Sequence, residues 1–147
     1  MIKFEFGNQK EIDFIETELD LYNKQMKKVV QNEDYKKFSV VAKKNNKIIG
    51  GGVAYSSLYY IGYIDTLWVS NEFKNQSIGS HILNDLEKRM YNYGCEMCHV
   101  DTFDFQAPKF YQKNGYEIFG ELFHSKQNLR EYFLKKNLVD FYENEST

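Results

Sequence analysis

The feature that most constrains this chain is a change of hydrophobic period near residue 76. Tyr59 to Val69 is dense in aromatic and β-branched residues, the composition of a strand. From Ser77 the spacing turns helical: Ile78, Ile82, Leu83, Leu86, Met90 and Tyr93 fall within an arc of ~140° on a helical wheel. Arg89 intrudes on that arc, and Gly94 stands where a C-cap glycine belongs. A strand that passes through a short turn, Asn71 to Asn75, into an amphipathic helix predicts a layered fold with the helix packed on a sheet.

The flanking segments fit the same scheme. Residues 2–6 alternate apolar and polar and predict a short strand, and residues 9–31 carry apolar side chains at three- and four-residue steps, the mark of an amphipathic helix. Phe38 to Ala42 and Ile48 to Leu58 read as strands joined at Asn45-Asn46, a hairpin tip. Gly50-Gly51-Gly52 inside the second of them points to a bulge or a close backbone approach. Residues 96–103 predict another strand, and Ala107 to Asn114 a short helix with Pro108 in its first turn. Tyr116 to Phe123 and Leu129 to Leu138 form a last strand pair. The predicted order is β, α, three strands, α, β, α, β, β: a mixed α/β (α+β) fold with a central mixed β-sheet flanked by helices. One domain over 1–139 and a polar, frayed tail over 140–147 complete the layout.

With 147 residues, 42% hydrophobic and 27% charged, the chain has globular composition and room for one core. Its formal net charge of −2 lacks the basic excess of a nucleic-acid binder. No run approaches the ~20 apolar residues that span a bilayer. No secretory leader pattern opens the chain, so a cytoplasmic location without nucleic-acid or membrane partners is the expectation. Two cysteines make no disulfide scaffold.

The chemistry concentrates at the strand–turn–helix junction. The first turn of a helix leaves N–H groups unpaired, and the helix dipole adds partial positive charge there. Ser77, Gly79 and Ser80 are small enough to let a diphosphate approach the backbone, with Lys74 as a nearby cation. The same residues also fit an ordinary serine-capped helix.

Lys74-Asn75-Gln76-Ser77-Ile78-Gly79 resembles the signature of the GNAT superfamily of acyl-CoA-dependent N-acetyltransferases: Arg or Gln, two residues, Gly, one residue, Gly or Ala. Lys74 and Ser77 depart from it. The run from Thr102 to Tyr116 is similar to the family's fifth strand, fourth helix and following turn, with Asp104 where asparagine is common. Leu129 to Leu138 is similar to the last strand of a bacterial subgroup, without the Gly-His pair that often precedes it. The likeness extends from Phe38 onward.

The resemblance implies transfer of an acetyl group from acetyl-CoA, with no metal, to a small-molecule or peptidic amine by direct attack. An alkyl amine of pKa ~10.4 must shed a proton first. The family's general base is a carboxylate on this strand, often acting through water, which makes Asp65 the candidate; simple alternation would set it on one face with Tyr63, Leu67 and Val69. Tyr111 holds the position of the acid that protonates the CoA thiolate; the alternative is an aromatic wedge. Cofactor contacts are implied for the backbone of Leu67, Trp68 and Val69, for Lys74, Asn75, Gln76, Ser77, Ile78, Gly79 and Ser80, and for Asp104 and Ala107. Acceptor choice would rest on 9–31 and the 123–128 loop, with Asp65, Asp101 and Asp104 compatible with a cationic substrate. A homodimer is a family-level expectation. Two other readings stay open: a non-catalytic acyl-CoA-binding module and a nucleotide-binding or interaction domain.

Cys95-Glu96-Met97-Cys98-His99 spells the C-x-x-C-H haem pattern, but on one strand the two cysteines would face opposite ways, so two ordinary thiols are expected. Tyr55, Tyr59, Tyr60 and Tyr63 read first as cover for the sheet, and second as walls of a substrate pocket.

Overall fold

A computed structural model describes residues 1–143. Helix α1 (Gln9–Met26) opens on a reciprocal cap: the Glu11 N–H donates to Asn8 Oδ1, and the Asn8 N–H donates to Glu11 Oε2, both at 3.0 Å. Strands β1 (Tyr35–Lys44) and β2 (Lys47–Ser57) form a hairpin whose two tip residues, Asn45 and Asn46, both have positive φ, as a tight two-residue turn requires. Then come β3 (Ile61–Val69), a 3-10 turn (Asn71–Phe73), α2 (Ile78–Tyr93), β4 (Met97–Phe103), α3 (Pro108–Lys113), β5 (Glu117–His124), β6 (Leu129–Asn137) and α4 (Leu138–Tyr142). The six strands make one mixed sheet in the order β1-β2-β3-β4-β6-β5, with β3 and β4 parallel and every other pair antiparallel.

Helix α2 lies across β1, β2 and β3 and supplies Ile82, Leu83, Leu86 and Met90 to the core. The glycine run in β2 makes this contact possible: a Cβ on Gly52 would stand 2.7 Å from Leu86 Cδ1. The buried arc of α2 is displaced from the predicted one. Arg89 is exposed, and Glu87 is fully buried instead.

Glu87 is stable there because three groups reach it. Its carboxylate accepts from Lys136 Nζ at 2.7 Å, from the Tyr116 hydroxyl at 2.7 Å and from the Tyr142 hydroxyl at 2.5 Å. The Cys98 thiol completes the cluster, 3.1 Å from the Tyr116 oxygen. Burial pushes the Cys98 thiol up to about 12 and the Tyr116 phenol well above its usual value.

Several expectations need correction. Residues 2–6 form no strand; they are exposed and unpaired with the sheet, and the first helix ends at Met26 rather than 31. Cys95 precedes β4, so strand alternation does not govern it, and both cysteines are buried in the core as free thiols. The chain does not fray at Asp140: Leu138 and Tyr142 anchor α4 in the core, and the Tyr142 hydroxyl donates to the buried Glu87 carboxylate. Residues 144–147 of that expected tail lie outside the described residues. Among the described residues, no helix is long and apolar enough to cross a membrane.

Candidate active site

Strands β3 and β4 pair only from Ile61–Met97 to Tyr63–His99, yet β3 continues to Val69 and β4 to Phe103. Beyond that point the two strands part. Among the described residues, the edge of β3 from Asp65 to Val69 that would face β4 has no strand beside it, so its peptide groups border an open wedge at the C-terminal ends of two parallel strands. A wedge of this kind is where open α/β sheets bind ligands.

A bulge sets the chemistry of this edge. Val53 pairs with Thr66 and Ala54 with Ile64, leaving Asp65 as the extra residue of β3. The bulge breaks the alternation that would have put Leu67 and Val69 on one face with Tyr63. Leu67 and Val69 instead pack toward the core beneath α2, while Tyr63 and Asp65 face the other way. Asp65 is exposed; it accepts from the Thr66 hydroxyl at 3.1 Å, and no cation pairs with it among the described residues. Asp65, Tyr63, Asp101, His99, Tyr55 and Tyr35 line a cavity of about 530 Å³. The Tyr63 hydroxyl donates to Asp101 Oδ2 at 2.9 Å, and burial together with this bond raises its pKa to about 12. His99, stacked obliquely 5.0 Å from Tyr63, has its pKa lowered by partial burial, with Asp101 opposing that shift.

At the mouth of the wedge the chain turns through two left-handed residues, Asn75 (φ 65°) and Ser77 (φ 61°). Ser77 is the N-cap of α2, but its hydroxyl makes no capping bond, and the first intrahelical bond runs from His81 N–H to Ser77 C=O. The N–H groups of the first turn are left for another acceptor. Lys74, Asn75, Gln76 and Ser77 are exposed, and Ile78, Gly79 and Ser80 half-buried. The two small residues do different work from that expected. Ser77 occupies a conformation suited to glycine, whereas a Cβ on Gly79 would meet the Phe110 ring at 3.3 Å, so Gly79 lets α2 close on α3.

Tyr111, on α3, is buried, edge-on to Phe110 and Tyr116. Its hydroxyl has no hydrogen-bond partner among the described residues, and burial, aided by Asp101, raises its pKa to about 12. Ala107 caps α3 and offers its N–H to Thr102 Oγ1 at 3.5 Å. Asp104 is already engaged: Oδ2 accepts from the Arg130 N–H at 3.1 Å, which joins the end of β4 to β6. Trp68 is exposed on the cavity side of the sheet.

The Acetyltransferase (GNAT) family model matches residues 6–116. This chain belongs to the GNAT acetyltransferase family. It is similar to a blasticidin-S acetyltransferase from Streptomyces morookaense, 34% identical over 73 residues, 49% of this chain and 53% of that one. The match thus spans about half the length of that relative. A crystal structure of an acetyltransferase from Bacillus cereus superposes with a TM-score of 0.81 at 28% identity, covering 92% of this chain and 97% of that one. A GNAT acetyltransferase from Elizabethkingia anophelis with acetyl-CoA bound has the same fold, at a TM-score of 0.59 and 24% identity over 67% of this chain and 74% of that one. The mixed GNAT sheet expected from the sequence is therefore present.

The sequence did not single out His99 as a site residue, having met it only in the C-x-x-C-H string, nor Tyr35. What could have found His99 is the strand period, which puts it on one face with Asp101. Tyr55 and Tyr63 do line the cavity, while Tyr59 and Tyr60 bond to the 27–30 linker.

Proposed function

We propose that this chain transfers an acetyl group from acetyl-CoA to the amine of a small cationic acceptor. The observation that carries the proposal is the parting of β3 and β4 after Tyr63–His99 with the open end of α2 at its mouth. The free edge of β3 is suited to an amide-bearing arm, which can add to it as a strand adds to a sheet. The unpaired N–H groups at 77–80, with Lys74 beside them, are suited to a diphosphate. When bound, acetyl-CoA supplies the activated acyl group.

The chain's own groups divide the remaining work. Backbone N–H groups of the Leu67–Val69 edge hold the thioester carbonyl oxygen as charge develops on it. Asp65, directly or through water, takes the proton that the acceptor ammonium must lose. The Tyr111 hydroxyl, protonated throughout the physiological range, gives its proton to the departing thiolate. Trp68, Asn75, Gln76 and Ile78 shape the walls of the cofactor channel, and Asp104 and Ala107 shape the turn that presents Tyr111. Tyrosine faces and the Asp65 and Asp101 carboxylates favour a cationic acceptor in the 530 Å³ cavity. The blasticidin-S acetyltransferase relative agrees with a small-molecule acceptor.

A second reading gives the base role to His99, favoured by the imidazole being held in its neutral form in the same cavity. Calorimetry with acetyl-CoA tests the cofactor; no binding at millimolar concentration refutes the proposal. Free-thiol release screened over an amine library tests the reaction, since binding without release with any amine would leave an acyl-CoA-binding module. With an active amine in hand, full activity of Asp65→Asn beside an inactive His99→Gln would move the base role to His99.

A further inference from the structure

We propose that residues 1–26 form an arm that docks on the open face of the sheet in a second copy of this chain, reciprocally, making a swapped dimer. Among the described residues, two surfaces of the same molecule lack a partner. One is the arm: no residue of α1 is buried, and the segment before it carries exposed Ile2, Phe4 and Phe6. Helix α1 is apolar on two sides, with Ile12, Ile15, Leu19 and Met26 along one stripe and Phe14 and Leu21 on the opposite side. A helix apolar on both sides is built to lie between two bodies. The other surface is the sheet face opposite α2. There Val41, Met97 and Phe119 are exposed beside the acceptor cavity.

Contacts at its root hold the arm to the fold. The Tyr59 hydroxyl donates to Lys27 C=O at 3.0 Å and the Tyr60 hydroxyl to Val30 C=O at 3.0 Å. Lys24 Nζ pairs with Asp34 at 3.1 Å. Buried Gln31 donates to Ser56 C=O at 3.0 Å and accepts from Ser56 Oγ at 2.9 Å. The linker is therefore fixed to the fold, and the 18-residue helix beyond it extends ~27 Å from that anchor.

Surface area favours a second copy as the occupant. The chain exposes 10994 Å² of surface. A compact monomer of 17.5 kDa exposes ~7,900 Å², so the excess is about 3,000 Å². That is ample for a stable dimer, whose interface takes roughly 2,000–5,000 Å² over both partners. Because arm and receiving face belong to one chain, two copies satisfy each other and the assembly closes with twofold symmetry.

The test uses the full-length chain. Sedimentation should give twice the chain mass at micromolar concentration. Leu19→Asp, which alters a residue exposed within its own chain, should weaken self-association by about tenfold or more while leaving the circular dichroism spectrum intact. A photo-crosslinker at Ile15, in a dimer refolded from mixed heavy- and light-isotope chains, should give crosslinked peptides to β1 or β4 that join heavy to light. A monomeric wild type, a dimer indifferent to Leu19→Asp, or crosslinks that never join heavy to light would each overturn the proposal. None of these readouts needs acetyl-CoA, so their failure is distinguishable from failure of the proposed reaction.

Discussion

Glu87→Ala removes the centre of the buried polar cluster and should be the most damaging single substitution in the core. The carboxylate is inaccessible to solvent, and Lys136, at 4% side-chain exposure, cannot turn its ammonium to water when its partner is lost. The Tyr116 and Tyr142 hydroxyls lose their acceptor in the same step. Breaking a buried pair from one side costs about 3–5 kcal/mol. At roughly 2–4 °C per kcal/mol for a chain of this size, the melting temperature should fall by about 10–15 °C. Removing both charges is gentler, because the cation is no longer stranded: Glu87→Leu with Lys136→Met should recover most of the loss. Thermal denaturation of the wild type, the single variant and the double variant decides the matter. A single variant melting within about 3 °C of wild type, or a double variant less stable than the single one, would refute this reasoning.

Three further outcomes follow from the site. Tyr111→Phe keeps the ring between Phe110 and Tyr116 and loses a hydroxyl bonded to nothing among the described residues, so kcat should drop well beyond KM for acetyl-CoA while the melting temperature stays close to wild type; an unchanged kcat would remove Tyr111 from the mechanism. Ser77→Gly relieves a left-handed residue and should stabilise the fold by about 1 kcal/mol, read by denaturant unfolding; a loss of stability would show that the Ser77 side chain does necessary work. His99 has a folded pKa below the ordinary imidazole value of 6.5, so the unfolded chain binds its proton first. Its contribution to stability is complete above pH 6.5 and fades as pH falls through the lowered value, and His99→Gln should flatten the fall in melting temperature between pH 6.5 and 5; an identical fall in both proteins would contradict the sign.

The legible parts of this fold were those written in local period and turn chemistry. Helix α2, the Asn45-Asn46 hairpin, Pro108 at the start of α3 and Gly94 at the end of α2 each follow from a few adjacent residues. What escaped depends on contacts distant in sequence. Glu87 looked like a solvent residue because the groups that justify its burial, Tyr116, Lys136 and Tyr142, lie 29 to 55 positions away. The bulge at Asp65 is invisible to alternation because it is a mismatch between two strands, not a property of one. Residues 2–6 have a strand's pattern without a strand's partner, and pattern alone cannot supply one. In the candidate site, the junction at 74–80 was legible from its small residues and its change of period. The grouping of His99 with Asp65 and Asp101 was not, since it depends on which strands are neighbours.

The most direct measurement is a crystal structure of this protein with acetyl-CoA. The account predicts the diphosphate against the N–H groups at Ser77–Ser80 and the pantetheine arm between β3 and β4, alongside Leu67–Val69. A cofactor lying elsewhere, with β3 and β4 still parted and empty, would contradict it.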